Sequence, residues 1–299
     1  MTVCKLPSPG SAIDVRTRPG KRCAPWPTIA VWICATLASG CIHHIPTSAP
    51  KATTQFERSL ELRGRFLTLH LATGSLVSSR PMIMYVTGDG GWHRKDLAVY
   101  KELVTLGYPV VGISAPEYLQ PLRKAKQTTT PAAVARDYAA ILSSARKLLD
   151  VSPSANVILV GVSRGADLVI VAAGQDLLRP QLSGVVAVGL TREEEFVRWF
   201  RRVGRGPRNR ARVATMMQLY EYLPRLGATP VDVIQSTHDT YLPAADARRL
   251  YGADTERRRL QEIESRNHSF SDARPALYAA IRNAIDWVAG PNPVEGTTR

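Results

Sequence analysis

At 299 residues, with 44% hydrophobic and 21% charged side chains, the chain can fill a sizeable core and is neither disordered nor fibrous in composition. Its formal charge of +14 and pI near 10.0 favour anionic partners, whether nucleic acid, acidic proteins or anionic lipid headgroups. All four cysteines, Cys4, Cys23, Cys34 and Cys41, fall in the first 41 residues, which excludes a disulfide framework or thiolate metal site from the remainder.

The N-terminus reads as an export signal. A basic stretch, Arg16 to Arg22, precedes the apolar run Thr28 to Ala38, which is too short to span a bilayer. Leu37-Ala38-Ser39-Gly40-Cys41 resembles a bacterial lipoprotein cleavage site, so residues 1–40 are expected to be removed and Cys41 lipidated. Leu37 stands one place further from the cysteine than the usual pattern, and ordinary signal-peptidase cleavage is the alternative. Either way the expected location is the periplasm, and lipidation would anchor the chain to a bacterial membrane. Five of the 39 basic residues and one of the 25 acidic ones lie in the leader, so the rest still carries about +10.

Residues 41–57 read as a short polar tether, 58–290 as one folded domain and 291–299 as a tail. From Ser59, Leu60, Leu62, Phe66, Leu67, Leu69 and Leu71 alternate with polar residues, which predicts two opening antiparallel strands. Apolar runs then alternate with helical stretches. Strands are predicted at Met82–Thr87, Tyr108–Ile113, Asn156–Val162, Gly184–Gly189, Val231–Gln235 and Leu260–Ile263. Helices are predicted at Leu97–Leu106, Ala132–Leu149, Ala166–Leu178 and Ala276–Val288. Such alternation implies an α/β fold with a mostly parallel central sheet covered on both faces. One stretch departs from it. Between Leu190 and Val213, Glu193-Glu194-Glu195 and Phe196 precede Trp199, Phe200 and a run of arginines, read as a lid-like insertion.

The sharpest motif is Gly161-Val162-Ser163-Arg164-Gly165, placed where a strand ends and a helix begins. A side chain at either glycine would collide with the neighbouring strand or helix, and a turn this tight exposes the serine at a helix N-terminus. A nucleophilic serine needs a base, and the base an orienting carboxylate. Asp239 lies just past the Val231–Gln235 strand, and His268 lies between the last strand and last helix, in the chain order Ser, acid, His. His238 competes with His268, and Glu193, Glu194 and Glu195 are rivals for the acid. The loop Thr87-Gly88-Asp89-Gly90-Gly91-Trp92 follows a strand, where glycines let amides turn towards a developing negative charge. Gly90, Gly91 and Arg164 are the expected oxyanion donors, and Asp89, Trp92 and Asp167 are candidates for contacting substrate. An acidic residue at the position of Asp167 is more often a helix N-terminal charge complementing the dipole. No P-loop or dinucleotide fingerprint is present, and neither cofactor nor metal is expected.

At these residues the sequence resembles the bacterial virulence protein VirJ family, which also forms the hydrolase part of the AcvB proteins. The resemblance rests on Thr87 to Trp92, Val110-Val111-Gly112-Ile113, Gly161 to Asp167, and the Asp239 and His268 loops, and covers about residues 58–290. It implies an exported α/β-hydrolase in which Ser163, Asp239 and His268 form the triad. It further implies cleavage of an ester, the aminoacyl (lysyl or alanyl) ester of phosphatidylglycerol. Two departures stand out. Pro116-Glu117-Tyr118-Leu119-Gln120 replaces an aromatic stretch, and Ser269 replaces a second histidine. The expected partner is an anionic membrane lipid, as substrate or surface, with envelope or secretion-system proteins as further candidates. No nucleic acid is expected, for want of a binding motif. A periplasmic esterase of another substrate and a non-enzymatic scaffold are the alternative readings.

Overall fold

The computed structural model describes residues 53–75, 80–124, 129–196, 198–202, 210–214 and 216–290, with the side chains of 123, 198–202 and 210–214 left out. The leader, with Cys41, most of the tether and the tail lie outside the described residues.

The domain opens with strands β1 (Gln55–Glu61) and β2 (Phe66–Ala72), paired antiparallel from Gln55↔Ala72 to Glu61↔Phe66. Only β2 alternates cleanly, burying Leu67, Leu69 and Leu71 while Phe66 faces solvent. The turn between them places Arg63 and Gly64 at positive φ.

Strands β3 (Met82–Val86), β4 (Val110–Ile113), β5 (Val157–Val162) and β6 (Leu182–Val188) follow, with a short β7 (Glu193–Glu194) beyond them. The insertion holds β8 (Arg198–Arg202), β9 (Arg210–Ala214) and β10 (Met217–Gln218). Strands β11 (Val231–Ser236) and β12 (Arg258–Ile263) complete the set. Eight of them form one sheet in the order β1-β2-β4-β3-β5-β6-β11-β12. From β4 to β12 every pairing is parallel. These strands read as near-continuous apolar runs because helices cover both their faces.

Helices α1 (Arg94–Thr105) and α6 (Arg274–Ala289) cover one face, packing Leu103, Ile281 and Ile285 against Ile83, Tyr85 and Val160. Helices α2 (Ala115–Lys124), α3 (Pro131–Leu148), α4 (Arg164–Ala173) and α5 (Ala244–Tyr251) lie on the other, around Met84, Leu159 and Val185. In α3 the start is set locally. The Thr130 hydroxyl accepts from the Ala133 amide at 3.2 Å and Pro131 occupies the first turn.

Helix α5 was not predicted, and β1 begins at Gln55, inside the segment expected to be a tether; three further differences from the sequence reading have local causes. Helix α2 was not predicted, and its span carries two prolines, Pro116 and Pro121. Pro116 sits in the first turn, where no N–H is needed, and Pro121 near the far end. Helix α4 stops at Ala173 rather than Leu178, with Gly174 as its C-cap. The insertion is a β-hairpin, β8 against β9, leaving the fold over the β7–β10 pair.

Candidate active site

Parallel strands deliver their C-terminal ends to one edge of the sheet, and the loops leaving β3, β5, β6, β11 and β12 meet there. Ser163 follows β5 at φ 54° and ψ −123°, a conformation side-chain-bearing residues rarely adopt. Its amide donates to the Val188 carbonyl at 2.7 Å, and its carbonyl accepts from Asp167 at 3.1 Å. Both flanking glycines are sterically required. A Cβ at Gly161 would stand 2.2 Å from the Gly165 carbonyl oxygen, and one at Gly165 would stand 2.1 Å from that of Val86.

The Ser163 hydroxyl lies 2.8 Å from His268 Nε2, and His268 Nδ1 lies 2.6 Å from Asp239 Oδ2. An ionised carboxylate can only accept, so Nδ1 carries the proton and Nε2 is left to accept from the hydroxyl. Asp239 is 2% exposed and fully engaged. Gln235 Nε2 donates to its Oδ2 at 3.2 Å, and the Tyr241 and Leu242 amides donate to Oδ1 at 2.8 and 3.3 Å. The His268 loop is pinned on either side. Buried Phe270 anchors it at φ 51°, and Asp272 accepts from the Ser265 hydroxyl and the Arg266 guanidinium, bonds that hold its carboxyl well below the usual range. The exposed Tyr241 ring meets the imidazole edge-on, with centroids 4.8 Å apart.

The rivals lie elsewhere. His238 is exposed beside Thr237 and Glu264. Glu193 accepts from Gln218, and Glu194 pairs with Arg164 at 3.2 Å. Asp239 is the carboxylate on His268.

In the loop after β3, buried Asp96 takes the Gly88 amide at 2.9 Å and the Tyr85 hydroxyl at 3.3 Å on one oxygen. The expectation for Gly91 needs correction. Its amide is spent on the Gly88 carbonyl at 3.0 Å, closing the turn. Among the described residues the Asp89 and Gly90 amides have no acceptor. With the Arg164 amide at the start of α4, they are the donors available to an oxyanion.

The three substrate-contact candidates fare differently from expectation. Asp167 is fully buried and accepts from the Thr191 amide and hydroxyl at 3.0 and 3.1 Å, tying α4 to the exit of β6. Burial and neighbouring Glu194 push its carboxyl far upward. Trp92 stacks into a ring cluster with His70 at 4.1 Å and Tyr100 at 5.4 Å, against Gly112, so it packs against the β3–β4 end of the sheet and not in the cleft. Asp89 does border the cleft, but its carboxylate is ion-paired with Arg164 at 2.8 Å.

The cleft beside Ser163 and His268 has a volume of about 140 Å³ and apolar walls from Val99, Val162, Phe270 and Leu277. Lys95, Asp96, Arg274 and Tyr241 also border it. Sequence reasoning passed over these four and Gln235. Only Gln235 carried a signal, at four residues before the expected acid on the same strand. Among the described residues no group of three or more His, Cys, Asp or Glu is placed to hold a metal ion.

Residues 81–201 match the family described as Bacterial virulence protein (VirJ). No curated protein matches the chain. In structure it is similar to Est1E from Butyrivibrio proteoclasticus, with a TM-score of 0.56 and 13% identity over 78% of this chain and 99% of that one. It is also similar to a cold-adapted esterase from an Arctic intertidal metagenomic library, with a TM-score of 0.53 and 14% identity over 80% of this chain and 97% of that one. At such identities the likeness is one of fold, and the fold is that of the α/β-hydrolases.

Proposed function

We propose that this chain, whose residues 81–201 belong to the bacterial virulence protein VirJ family, is an exported serine hydrolase that cleaves aminoacyl-phosphatidylglycerol at a membrane surface. The observation that carries the chemistry is the unbroken line from Ser163 through His268 to Asp239, at 2.8 and 2.6 Å. His268 takes the Ser163 proton as Oγ attacks the acyl carbonyl. The tetrahedral oxyanion is met by the Asp89, Gly90 and Arg164 amides. Collapse breaks the bond to the alcohol, which leaves with the proton from His268 and strands the acyl group on Ser163. Water, deprotonated by His268, then attacks that ester, releasing the free acid and restoring the serine.

The choice of lipid substrate rests on the family and on charge. Strands β8 and β9 together hold five arginines among ten residues and no acid, on a hairpin whose stalk reaches Arg164 through Glu194. Such an arginine-rich hairpin, on a stalk that reaches the residue after the nucleophile, suits an anionic bilayer. In this reading Cys41 is lipidated and holds the domain in the periplasm at that surface. Among the described residues no helix is long and apolar enough to cross a membrane.

The test is a lipid profile of cells carrying the wild-type gene, Ser163→Ala or no gene. Aminoacylated phosphatidylglycerol should accumulate in the latter two. Unchanged levels in both would remove this substrate, and failure of a fluorophosphonate probe to label Ser163 in folded protein would remove the hydrolase itself.

A further inference from the structure

Two cations border the catalytic cleft without a carboxylate of their own. Lys95 is exposed in the first turn of α1, and Arg274 is half-buried as the first residue of α6. Among the described residues neither forms an ion pair or a side-chain hydrogen bond. Of the nearby carboxylates one is ion-paired and the other is buried, its second oxygen without a hydrogen-bond partner among the described residues. Asp89 is paired with Arg164, and Asp96, 1% exposed, turns one oxygen to the Gly88 amide and the Tyr85 hydroxyl. Burial raises the pKa of Asp96, and both cations act on it in the opposite direction. With Asp89 paired to Arg164, the two cations set against the one buried Asp96 leave the border of the cleft with a net positive charge.

That sign matters for the ester. An aminoacyl group carries an ammonium, which Lys95 and Arg274 would repel. The cations therefore suit the alcohol side, where a phosphoglycerol leaving group carries a phosphate a few bonds from the ester oxygen. We propose that Lys95 and Arg274 bind a phosphate on the leaving alcohol, making the cleft selective for esters of phosphate-bearing alcohols. Arg274 offers a planar fork to the phosphate oxygens and Lys95 a mobile point charge. This rests on the serine hydrolase reading and adds to it the group by which substrate is chosen.

The experiment compares two soluble substrates, the alanyl esters of glycerol and of sn-glycerol 3-phosphate, with the purified full chain. The wild type should favour the phosphate ester in kcat/KM by at least about tenfold, chiefly through KM. The double variant Lys95→Met/Arg274→Met should lose that ratio, while Lys95→Arg/Arg274→Lys should retain most of it. No preference in the wild type, a ratio that survives the double variant, or equal loss on both esters would overturn the proposal.

Binding of sn-glycerol 3-phosphate to the Ser163→Ala protein, read by calorimetry, tests the pair without turnover. Binding that vanishes when both cations are replaced supports the pair even if neither ester is cleaved, in which case it is the hydrolase reading that fails. Binding indifferent to the replacements refutes the pair. Phosphatidylglycerol vesicles offered in place of the soluble phosphate distinguish a lipid headgroup from a free phosphate ester.

Discussion

Gly189 follows β6 at φ +65°, and His268 rests against it so closely that a Cβ there would stand 2.9 Å from the imidazole Cε1. The general base is thus seated on bare backbone. Gly189→Ala should push the ring away from Ser163 and lower kcat by about a hundredfold, since small misplacements of a reacting group are costly. The positive φ should also destabilise the fold by about 1 kcal/mol. Turnover of a soluble ester and a thermal melt check both, and unchanged kcat would show that the loop adapts.

Asp239→Asn should keep the fold and the hydrogen-bonded loop but favour the wrong imidazole tautomer. A fall in kcat of about 10⁴ is expected, against near-complete loss of fluorophosphonate labelling in Ser163→Ala. A mild effect of Asp239→Asn on kcat would return the role of acid to another carboxylate.

Gly165→Ala sets a Cβ against backbone, 2.1 Å from the Val86 carbonyl oxygen, with no flexible side chain to give way. The strand β3 or helix α4 must shift, at a cost of several kcal/mol. Poor soluble expression or a large drop in melting temperature is expected, and a wild-type melt would contradict the packing.

Asp232, buried beside Arg259 and Gln261, is pushed up to about 6 by burial, from 3.8. The native form holds this proton more tightly than the unfolded chain does. The stability linked to it is therefore full below about pH 4 and is lost as pH rises to about 6, by at most about 3 kcal/mol. Urea melts at pH 4 and pH 7 should show Asp232→Asn losing less stability over that interval than the wild type. Parallel losses would show that Asp232 does not titrate there.

Replacing Arg201 and Arg202 with glutamate should weaken binding to phosphatidylglycerol vesicles by well over tenfold, at about 1 kcal/mol per basic residue near an anionic surface. Binding to neutral vesicles should stay weak in both proteins. Equal binding to anionic vesicles by wild type and variant would place the membrane contact elsewhere.

Much of this protein is legible along the chain because it depends on local physics. Buried parallel strands write themselves as apolar runs such as Val157 to Val162, and a sharp strand-to-helix turn demands glycine at 161 and 165. Helix α2 was not predicted, and it carries Pro116 and Pro121, whose tolerance depends on position within a helix. Chain order placed Ser163, Asp239 and His268 on loops at one edge, but Glu193 to Glu195 lay on another loop at that same edge. Only three-dimensional proximity separates Asp239 from them. The same holds for the donors and the cleft. Whether an amide is free, as at Asp89 and Gly90, or already spent, as at Gly91, depends on a turn closed by the Gly88 carbonyl. That Asp167 is buried and bonded to Thr191, and that Lys95 and Arg274, 179 residues apart, line one cleft, depends on how helices dock on the sheet. The sequence by itself determined the layered fold and the nucleophile, since these follow from periodicity and backbone sterics. Tertiary packing alone decided which polar groups remain unpaired, and those are the groups left to meet a substrate.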